Sequence, residues 1–231
     1  MRPEEFPEIY PGDVPDPALT ERIAASMAQD LKPVRPLPPA GATVWSLLVV
    51  FLAVVSLGAT KLGFFGLIGL YPAAIALIFP ALAGLALLAA AASVNALTPG
   101  SRQPFHPAVL MAAGCAVMAA VFALIFHDHS LGRFVPQGLV CLRAGLLWAV
   151  PTAVLTWLLL RRGYAVDRAA AGVACGTFAG LAGLTVLEFH CANFRLWHIV
   201  VWHLAVVPIG AGVLAAIYFF GSKRKDAELM Q

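Results

Sequence analysis

The sequence predicts an all-α, polytopic membrane protein, a bundle of six transmembrane helices preceded by a short cytoplasmic amphipathic helix. First, 61% of the 231 residues are hydrophobic and 12% are charged, whereas soluble domains carry roughly 25% charged residues. Second, the chain contains six apolar runs of about the 20 residues that a helix needs to cross a bilayer. Third, most of the charged residues lie outside these runs, at the N-terminus, in the connections and in the C-terminal tail.

Loop residues separate the six runs and set their limits. Pro, Gly, Ser and Asp cluster at Thr98–Ser101 and Asp128–Pro136, and Arg161-Arg162-Gly163 follows the fourth run. Between the first two runs, Leu57–Leu70 contains four glycines and Lys61, so it is either a short hairpin or part of a neighbouring helix. The predicted spans are Val44–Thr60, Tyr71–Leu97, Pro107–Phe126, Cys141–Leu160, Ala169–Phe189 and Ile199–Phe220.

The distribution of basic residues predicts the orientation. An even number of spans places both termini on one side, and basic residues accumulate on the cytoplasmic side of membrane proteins. The side that carries the termini holds eleven Lys and Arg residues, and the other side holds only Lys61, Arg133, Arg143 and Arg195. We therefore expect a multi-pass protein of the bacterial inner membrane with both termini cytoplasmic, divided into a cytoplasmic arm (1–40), a transmembrane domain (41–221) and a basic cytoplasmic tail (222–231).

The arm contains one predicted helix. Asp16 and Pro17 suit the N-cap and N1 positions, and Pro33 ends the pattern. Apolar residues recur every four positions and form one stripe: Leu19, Ile23, Met27 and Leu31. A lone helix of this length is marginal in water, so the stripe must pack on a partner protein, on the bundle or on the membrane surface. The acidic residues beside it disfavour anionic lipid, which makes a protein partner the preferred interpretation.

Two cysteines are predicted to lie at the outer membrane interface. Cys141 opens the fourth span and Cys191 closes the fifth, and the two helices run antiparallel. The outer compartment of a bacterium is oxidising, so a disulfide there is chemically permitted. Span-counting cannot establish the Cα separation that a disulfide requires.

Metal or haem binding is the competing interpretation of the same stretch. His190, Cys191 and His198 are candidate ligands for zinc or copper. No two histidines lie at i, i+4, however, and His198 and His203 are five apart, so on an α-helix they would point to different faces. The pattern therefore favours thiol chemistry over a metal site, and we expect no cofactor.

Three further features concern packing and reaction chemistry. Arg143 and Glu188 are predicted to form a charge pair, with snorkelling of each to the interface as the alternative. Gly172, Gly176 and Gly180 line one face of the fifth span and predict close helix packing in the bundle, or else a homodimer seam. No nucleophile–base set or phosphate loop occurs, which predicts that the chain is not an enzyme. The absence of a basic stripe with interleaved aromatics predicts no direct nucleic-acid binding.

The chain resembles the integral-membrane anti-sigma factors of the NrsF (negative regulator of sigma F) type. The resemblance lies in Cys141 opening a span, the Arg161-Arg162-Gly163 turn, the glycine-rich fifth span, His190-Cys191 and the following Trp202. It implies that the cytoplasmic arm holds an extracytoplasmic-function sigma factor at the membrane. It also implies that a signal acting on Cys141 and Cys191 releases that sigma factor. The additional His198 and His203 leave open whether the signal is an oxidant or a metal ion.

Two other functions fit the same topology. One is a membrane redox protein that binds metal or haem through its outer histidines, and the other is a small transporter subunit. Glu188 is the only carboxylate inside a predicted span, and proton-coupled transport usually needs more.

Overall fold

A computed structural model describes residues 16–30, 38–101 and 103–228 of the chain, with the side chains of 28–30 and 221–228 excepted. Leu31 and residues 1–15 and 229–231 lie outside the described residues. The chain divides into two compact units, Met1–Pro36 and Leu37–Gln231. The described residues are helical and contain no strand, in agreement with the predicted all-α class.

In the first unit, the described part is the predicted amphipathic helix. Helix α1 spans Pro17–Asp30, and the side chain of Asp16 accepts a hydrogen bond from the backbone N–H of Ala18 (3.0 Å). The helix therefore begins where the Asp-Pro pair predicted. The side chains of Leu19, Ile23 and Met27 are all exposed, Met27 to 65%.

The second unit is the helical bundle, and six of its segments are long and apolar enough to cross a membrane. They correspond to the six runs that the sequence predicted: eleven of the twelve ends agree within four residues, and the start of the fourth segment lies seven residues earlier. The helices are α2 (Ala40–Leu62), α3 (Phe65–Gly69), α4 (Pro72–Ala96), α5 (Pro107–Ile125), α6 (Phe134–Leu160), α7 (Arg168–His190), α8 (Leu196–His198), a π-helical turn π1 (Ile199–His203) and α9 (Val206–Glu228).

Two local features differ from the sequence analysis. Of the glycine-rich stretch Leu57–Leu70, the first six residues belong to α2, in line with one of the two alternatives, and Phe65–Gly69 form the separate short helix α3. Helix α6 begins at Phe134, so Cys141 lies two turns inside the helix and does not open it. The predicted start missed these two turns because Pro136 and Gln137 read as loop residues, although a proline is well tolerated in the first turn of a helix.

Helix α7 is the centre of the bundle. In its most apolar 18-residue stretch 94% of the residues are buried, compared with 17–33% in the other five segments. It packs against α2, α4, α5, α6 and α9. The outer helices expose large apolar side chains, among them Leu52, Leu124 and Leu147. An apolar exterior around a helix built of small residues is typical of a bundle whose surroundings are lipid.

The glycines of α7 set its distance from α9. A Cβ on Gly172, Gly176 or Gly180 would collide with backbone atoms of α9, at Ala215, Ala211 and Val207 respectively. The small-residue face is thus occupied by another helix of the same chain, as the i, i+4, i+8 spacing predicted. This face therefore has no room for a homodimer seam.

We predict that Gly176→Ala destabilises the bundle, by about 1–3 kcal/mol, because its methyl group would meet the backbone of Gly210 and Ala211. The matched control is Gly212→Ala on α9, where nothing lies within 4 Å of the added Cβ. Alanine suits a helix interior better than glycine by roughly 0.5–1 kcal/mol. The melting temperature, measured in detergent by circular dichroism, should therefore be lower than that of the wild type only for Gly176→Ala. Equal midpoints would contradict the close α7–α9 contact.

Candidate functional site: a thiol–imidazole cluster

Helix ends and connections meet at one end of the bundle and build the site. A Cβ on Gly66 of α3 would strike the backbone of Glu188 and Cys191, so α3 lies directly against the end of α7. The rings of Phe126 and Phe194 stack, with centroids 5.9 Å apart. Leu196 donates its backbone N–H to the carbonyl of Asp128 (2.8 Å). These contacts fix the segment between α7 and α8 against the connection between α5 and α6.

An ion pair closes the rim of this end. The Nε atom of Arg195 lies 3.6 Å from a carboxylate oxygen of Asp128, and the guanidinium also donates a hydrogen bond to the carbonyl of Gly132. Hydrogen bonds from Ser130, assisted by the charge of Arg195, lower the pKa of Asp128 below its ordinary value. Asp128 therefore stays ionised and keeps the two connections together.

Cys141 and Cys191 meet at this end, although they are 50 residues apart in the chain. Their Sγ atoms are 3.6 Å apart, within thiol hydrogen-bonding distance, and both are free thiols. Cys191 follows the last residue of α7 and donates its backbone N–H to the carbonyl of Leu187 (2.7 Å). Cys141 comes from the second turn of α6. The pair thus joins the end of the central helix to its neighbour.

Two histidines complete the cluster. The Nε2 atom of His198 lies 3.5 Å from Sγ of Cys191. The rings of His198 and His203 have centroids 5.1 Å apart, and both side chains are buried. One ligand atom each from Cys141, Cys191, His198 and His203 falls within 4.8 Å of every other.

A π-helical turn brings the two histidines together, and the prediction that they point to different faces is wrong. In an α-helix, a spacing of five residues leaves side chains about 140° apart. Residues Ile199–His203 form a π-helix, in which Leu204 donates its N–H to Ile199 five residues earlier (3.2 Å). Five residues then make nearly one full turn, so His198 and His203 share a face. Such turns are frequent at functional sites.

Glu188 pairs with His203 and not with Arg143. Its carboxylate oxygen is 2.8 Å from Nδ1 of His203, and both side chains are almost completely buried. Arg143, in contrast, has an exposed side chain on α6. The predicted Arg143–Glu188 pair is therefore replaced by a buried Glu188–His203 pair. The sequence does not indicate this pair, because the five-residue interval between His198 and His203 conceals the direction of His203.

Four ring nitrogens, of the cluster histidines and of two chain neighbours of the cluster residues, are buried without a hydrogen-bond partner. They are Nδ1 of His190, Nδ1 of His198, Nε1 of Trp202 and Nε2 of His203. Buried polar atoms are rarely left unpaired, and an exception calls for an explanation. The cluster is also reachable, since a cleft of about 1270 Å³ is lined by Cys141, Cys191 and His198 together with the Arg195 segment.

The environment of Cys191 favours the thiolate. The hydrogen bond to Cys141 and the nearby imidazole of His198 lower the pKa of the Cys191 thiol, and they outweigh burial, which acts in the opposite direction. The thiolate is the form that attacks disulfides and binds metal ions. The cluster can therefore form a disulfide or hold a soft cation.

The remaining candidate residues lie elsewhere. His190 is next to Cys191 in the chain, but its ring faces Phe65 (centroids 5.9 Å apart) and does not belong to the four-residue group. Cys175 is buried in the main hydrophobic core, and Cys115 packs at its edge. His127 and His129 are exposed. Of the metal ligands proposed from sequence, Cys191 and His198 are in the cluster; His203 and Cys141 were not among them.

A helical bundle with six long apolar segments and a thiol–imidazole cluster at one end is compatible with a multi-pass membrane protein. Comparison with protein families identifies it further: the model of the family "Negative regulator of sigma F" (NrsF) matches residues 27–219. The chain therefore belongs to the NrsF family, and its class is that of negative regulators of a sigma factor. Comparison with curated proteins and with solved structures gave no match.

We predict that mild oxidation of the full chain in detergent links Cys141 to Cys191, because their sulfur atoms are already in contact. Mass spectrometry of peptides should find that pair joined, with the loss of two hydrogen atoms. Cys191→Ser should abolish the link, and the control Cys115→Ser should leave it intact. A disulfide that involves Cys115 or Cys175 would show that the helices are arranged differently.

Proposed function

We propose that the protein is an integral-membrane anti-sigma factor that binds an extracytoplasmic-function sigma factor through α1 and releases it when the thiol–imidazole cluster changes state. The observation that carries the proposal is the contact between Cys141 and Cys191 (3.6 Å) in a chain of the NrsF family. Two thiols in contact at the end of the central helix are suited to an input, because a change in their bonding would act on that helix directly.

The proposed topology places the cluster outside the cytoplasm of a bacterial inner membrane and both termini inside. Six apolar segments support an even number of crossings, and the excess of Lys and Arg beside the termini supports the direction. Within the bundle, the start of α2 is at the opposite end from the cluster, since Pro38 and Thr43 border the same cavity as Leu97 and the Arg161-Arg162-Gly163 turn. The first long helix of the bundle thus starts at the end opposite the proposed input.

Helix α1 is the proposed sigma-binding element. Its exposed apolar stripe, Leu19, Ile23 and Met27, is the kind of surface that an amphipathic helix buries in a groove of a protein partner. The family match begins at Met27, so most of the stripe precedes the region shared with the family. We infer that this part of the chain carries the specificity for one particular sigma factor.

An oxidant is one signal that the cluster can receive. The two thiols would form a disulfide by losing two protons and two electrons to a small disulfide, which would become two thiols. The product would join the C-terminal end of α7 covalently to α6. Because α7 contacts five other long helices, a displacement of its end would be felt by helix α2, which leads back to the arm.

We predict that Ile23→Glu in the full chain weakens sigma-factor binding about tenfold or more, because a charge would replace an apolar anchor. Ala25→Glu adds the same charge on the opposite face of α1 and should leave the affinity nearly unchanged. The measurement is the retention of a co-expressed extracytoplasmic-function sigma factor by the purified protein. If both variants retain the sigma factor equally, α1 is not the binding element. If the wild-type chain retains none, the anti-sigma assignment fails.

A further inference from the structure

We propose that Cys141, Cys191, His198 and His203 form a tetrahedral zinc site. The four side chains supply two sulfur and two nitrogen atoms that all lie within 4.8 Å of one another. Two cysteines and two histidines in a tetrahedral arrangement are a donor set that selects zinc over harder cations.

Two of the six distances between the four donor atoms match the edges of a zinc tetrahedron, and all six are within 4.8 Å. With Zn–S bonds of about 2.3 Å and Zn–N bonds of about 2.0–2.1 Å, a tetrahedron has S···S edges of about 3.8 Å and S···N edges of about 3.5 Å. The Cys141–Cys191 sulfur distance is 3.6 Å, and the distance from Cys191 Sγ to His198 Nε2 is 3.5 Å. Both edges therefore need adjustments of only a few tenths of an ångström to accommodate the ion.

The orientation of His203 points to a ligand at the centre of the four residues. Glu188 binds Nδ1 of the His203 ring, which leaves Nε2 as the ligand atom, and this nitrogen is buried without a hydrogen-bond partner. A carboxylate that fixes the far nitrogen of a histidine is the usual support of a zinc ligand. Glu188 is thus a positioning residue of the site, and it is buried with His203.

The charge of the site favours a divalent ion. Two thiolates balance the charge of Zn²⁺ and the two imidazoles stay neutral, so the ion and its four ligands have no net charge, and the Glu188 carboxylate that accepts the hydrogen bond of His203 is the remaining buried charge. Four protein ligands leave no open position for water, as in zinc sites that stabilise a structure and unlike those that catalyse hydrolysis. The cleft that borders Cys141, Cys191 and His198 gives the ion a route from outside the protein.

Zinc and the disulfide compete for the same two sulfur atoms, since a ligand sulfur must be a thiolate. An occupied site would join α6, α7 and the α8–π1 segment through one ion and protect the thiols from oxidation. A regulatory role for zinc rests on the function proposed above, in which the state of the cluster sets the affinity for the sigma factor. Zinc binding itself does not depend on that function.

The test is zinc binding to the reduced full chain in detergent. We expect one Zn²⁺ per chain, and X-ray absorption of the loaded protein should show two sulfur and two nitrogen neighbours. Co²⁺ in its place should give the visible bands of a tetrahedral thiolate site. Sub-stoichiometric binding, or a shell of oxygen and nitrogen alone, would overturn the proposal. Stoichiometric binding of Cu⁺ without binding of Zn²⁺ would overturn the choice of ion.

Substitutions locate the ion. Glu188→Gln should weaken zinc binding about 10–100-fold, the usual effect of losing the carboxylate behind a ligand histidine, and Cys141→Ser should remove a sulfur from the absorption spectrum. His190→Gln is the matched control, since its ring lies beside the cluster without belonging to it, and it should bind zinc normally. Circular dichroism identifies variants that fail to fold, and the wild-type absorption spectrum decides the proposal independently of them. A Glu188→Gln variant that folds and binds zinc as tightly as wild type would contradict the role of Glu188.

These outcomes are independent of the sigma factor. Zinc bound by two sulfur and two nitrogen atoms in a protein that retains no sigma factor would leave the site standing and refute the anti-sigma function. Retention of a sigma factor by a protein that binds no stoichiometric zinc would support the anti-sigma function and refute the zinc site.

Discussion

The burial of α7 is the constraint on which the rest of the structure depends. A helix surrounded on all sides must present small residues where its neighbours approach, and Gly172, Gly176 and Gly180 bring the backbone of α9 into direct contact. Because α7 packs against both α6 and α9, its C-terminal end is also where α6 contributes Cys141 and the π1 turn that precedes α9 contributes His203. The same packing that builds the core therefore assembles the thiol–imidazole cluster. A change at Cys191 acts on the most buried element of the protein.

The cluster combines polar groups that are costly to bury with a backbone adapted to hold them. Glu188 and His203 satisfy each other, and the π-helical turn rotates His198 to the same side as His203. A regular α-helix would satisfy the backbone equally well while separating the two rings. The rare π-helical backbone is therefore explained by the need to bring the two histidines together in the site, and helix packing alone does not require it. The two states proposed for the cluster, a disulfide and a bound zinc ion, differ in the bonds made by the same two sulfur atoms.

Much of the fold could be predicted from the sequence, because hydrocarbon thickness imposes a length on apolar runs and turn residues interrupt them. Counting antiparallel spans placed Cys141 and Cys191 at the same end of the bundle, but only the structure shows that their sulfur atoms are in contact. The partner of Glu188 could not be predicted in this way, since counting gives depth in the bundle and not direction around a helix. Likewise, the five-residue spacing of His198 and His203 excludes a shared face only if the helix is regular, and no sequence pattern announced the π turn. His190, adjacent to Cys191, looked like a ligand for the same reason: proximity in sequence is not direction in space.

The central claim is that the state of the cluster controls the affinity of the arm for the sigma factor. It is tested most directly by reconstituting the full chain in nanodiscs and measuring the dissociation constant of the sigma factor with Cys141 and Cys191 as free thiols and as a disulfide. The account predicts an affinity at least tenfold weaker in one of the two states, which corresponds to about 1.4 kcal/mol of coupling. It also predicts that the difference disappears in Cys191→Ser and persists in Cys115→Ser. Equal affinities in the two states would contradict the account.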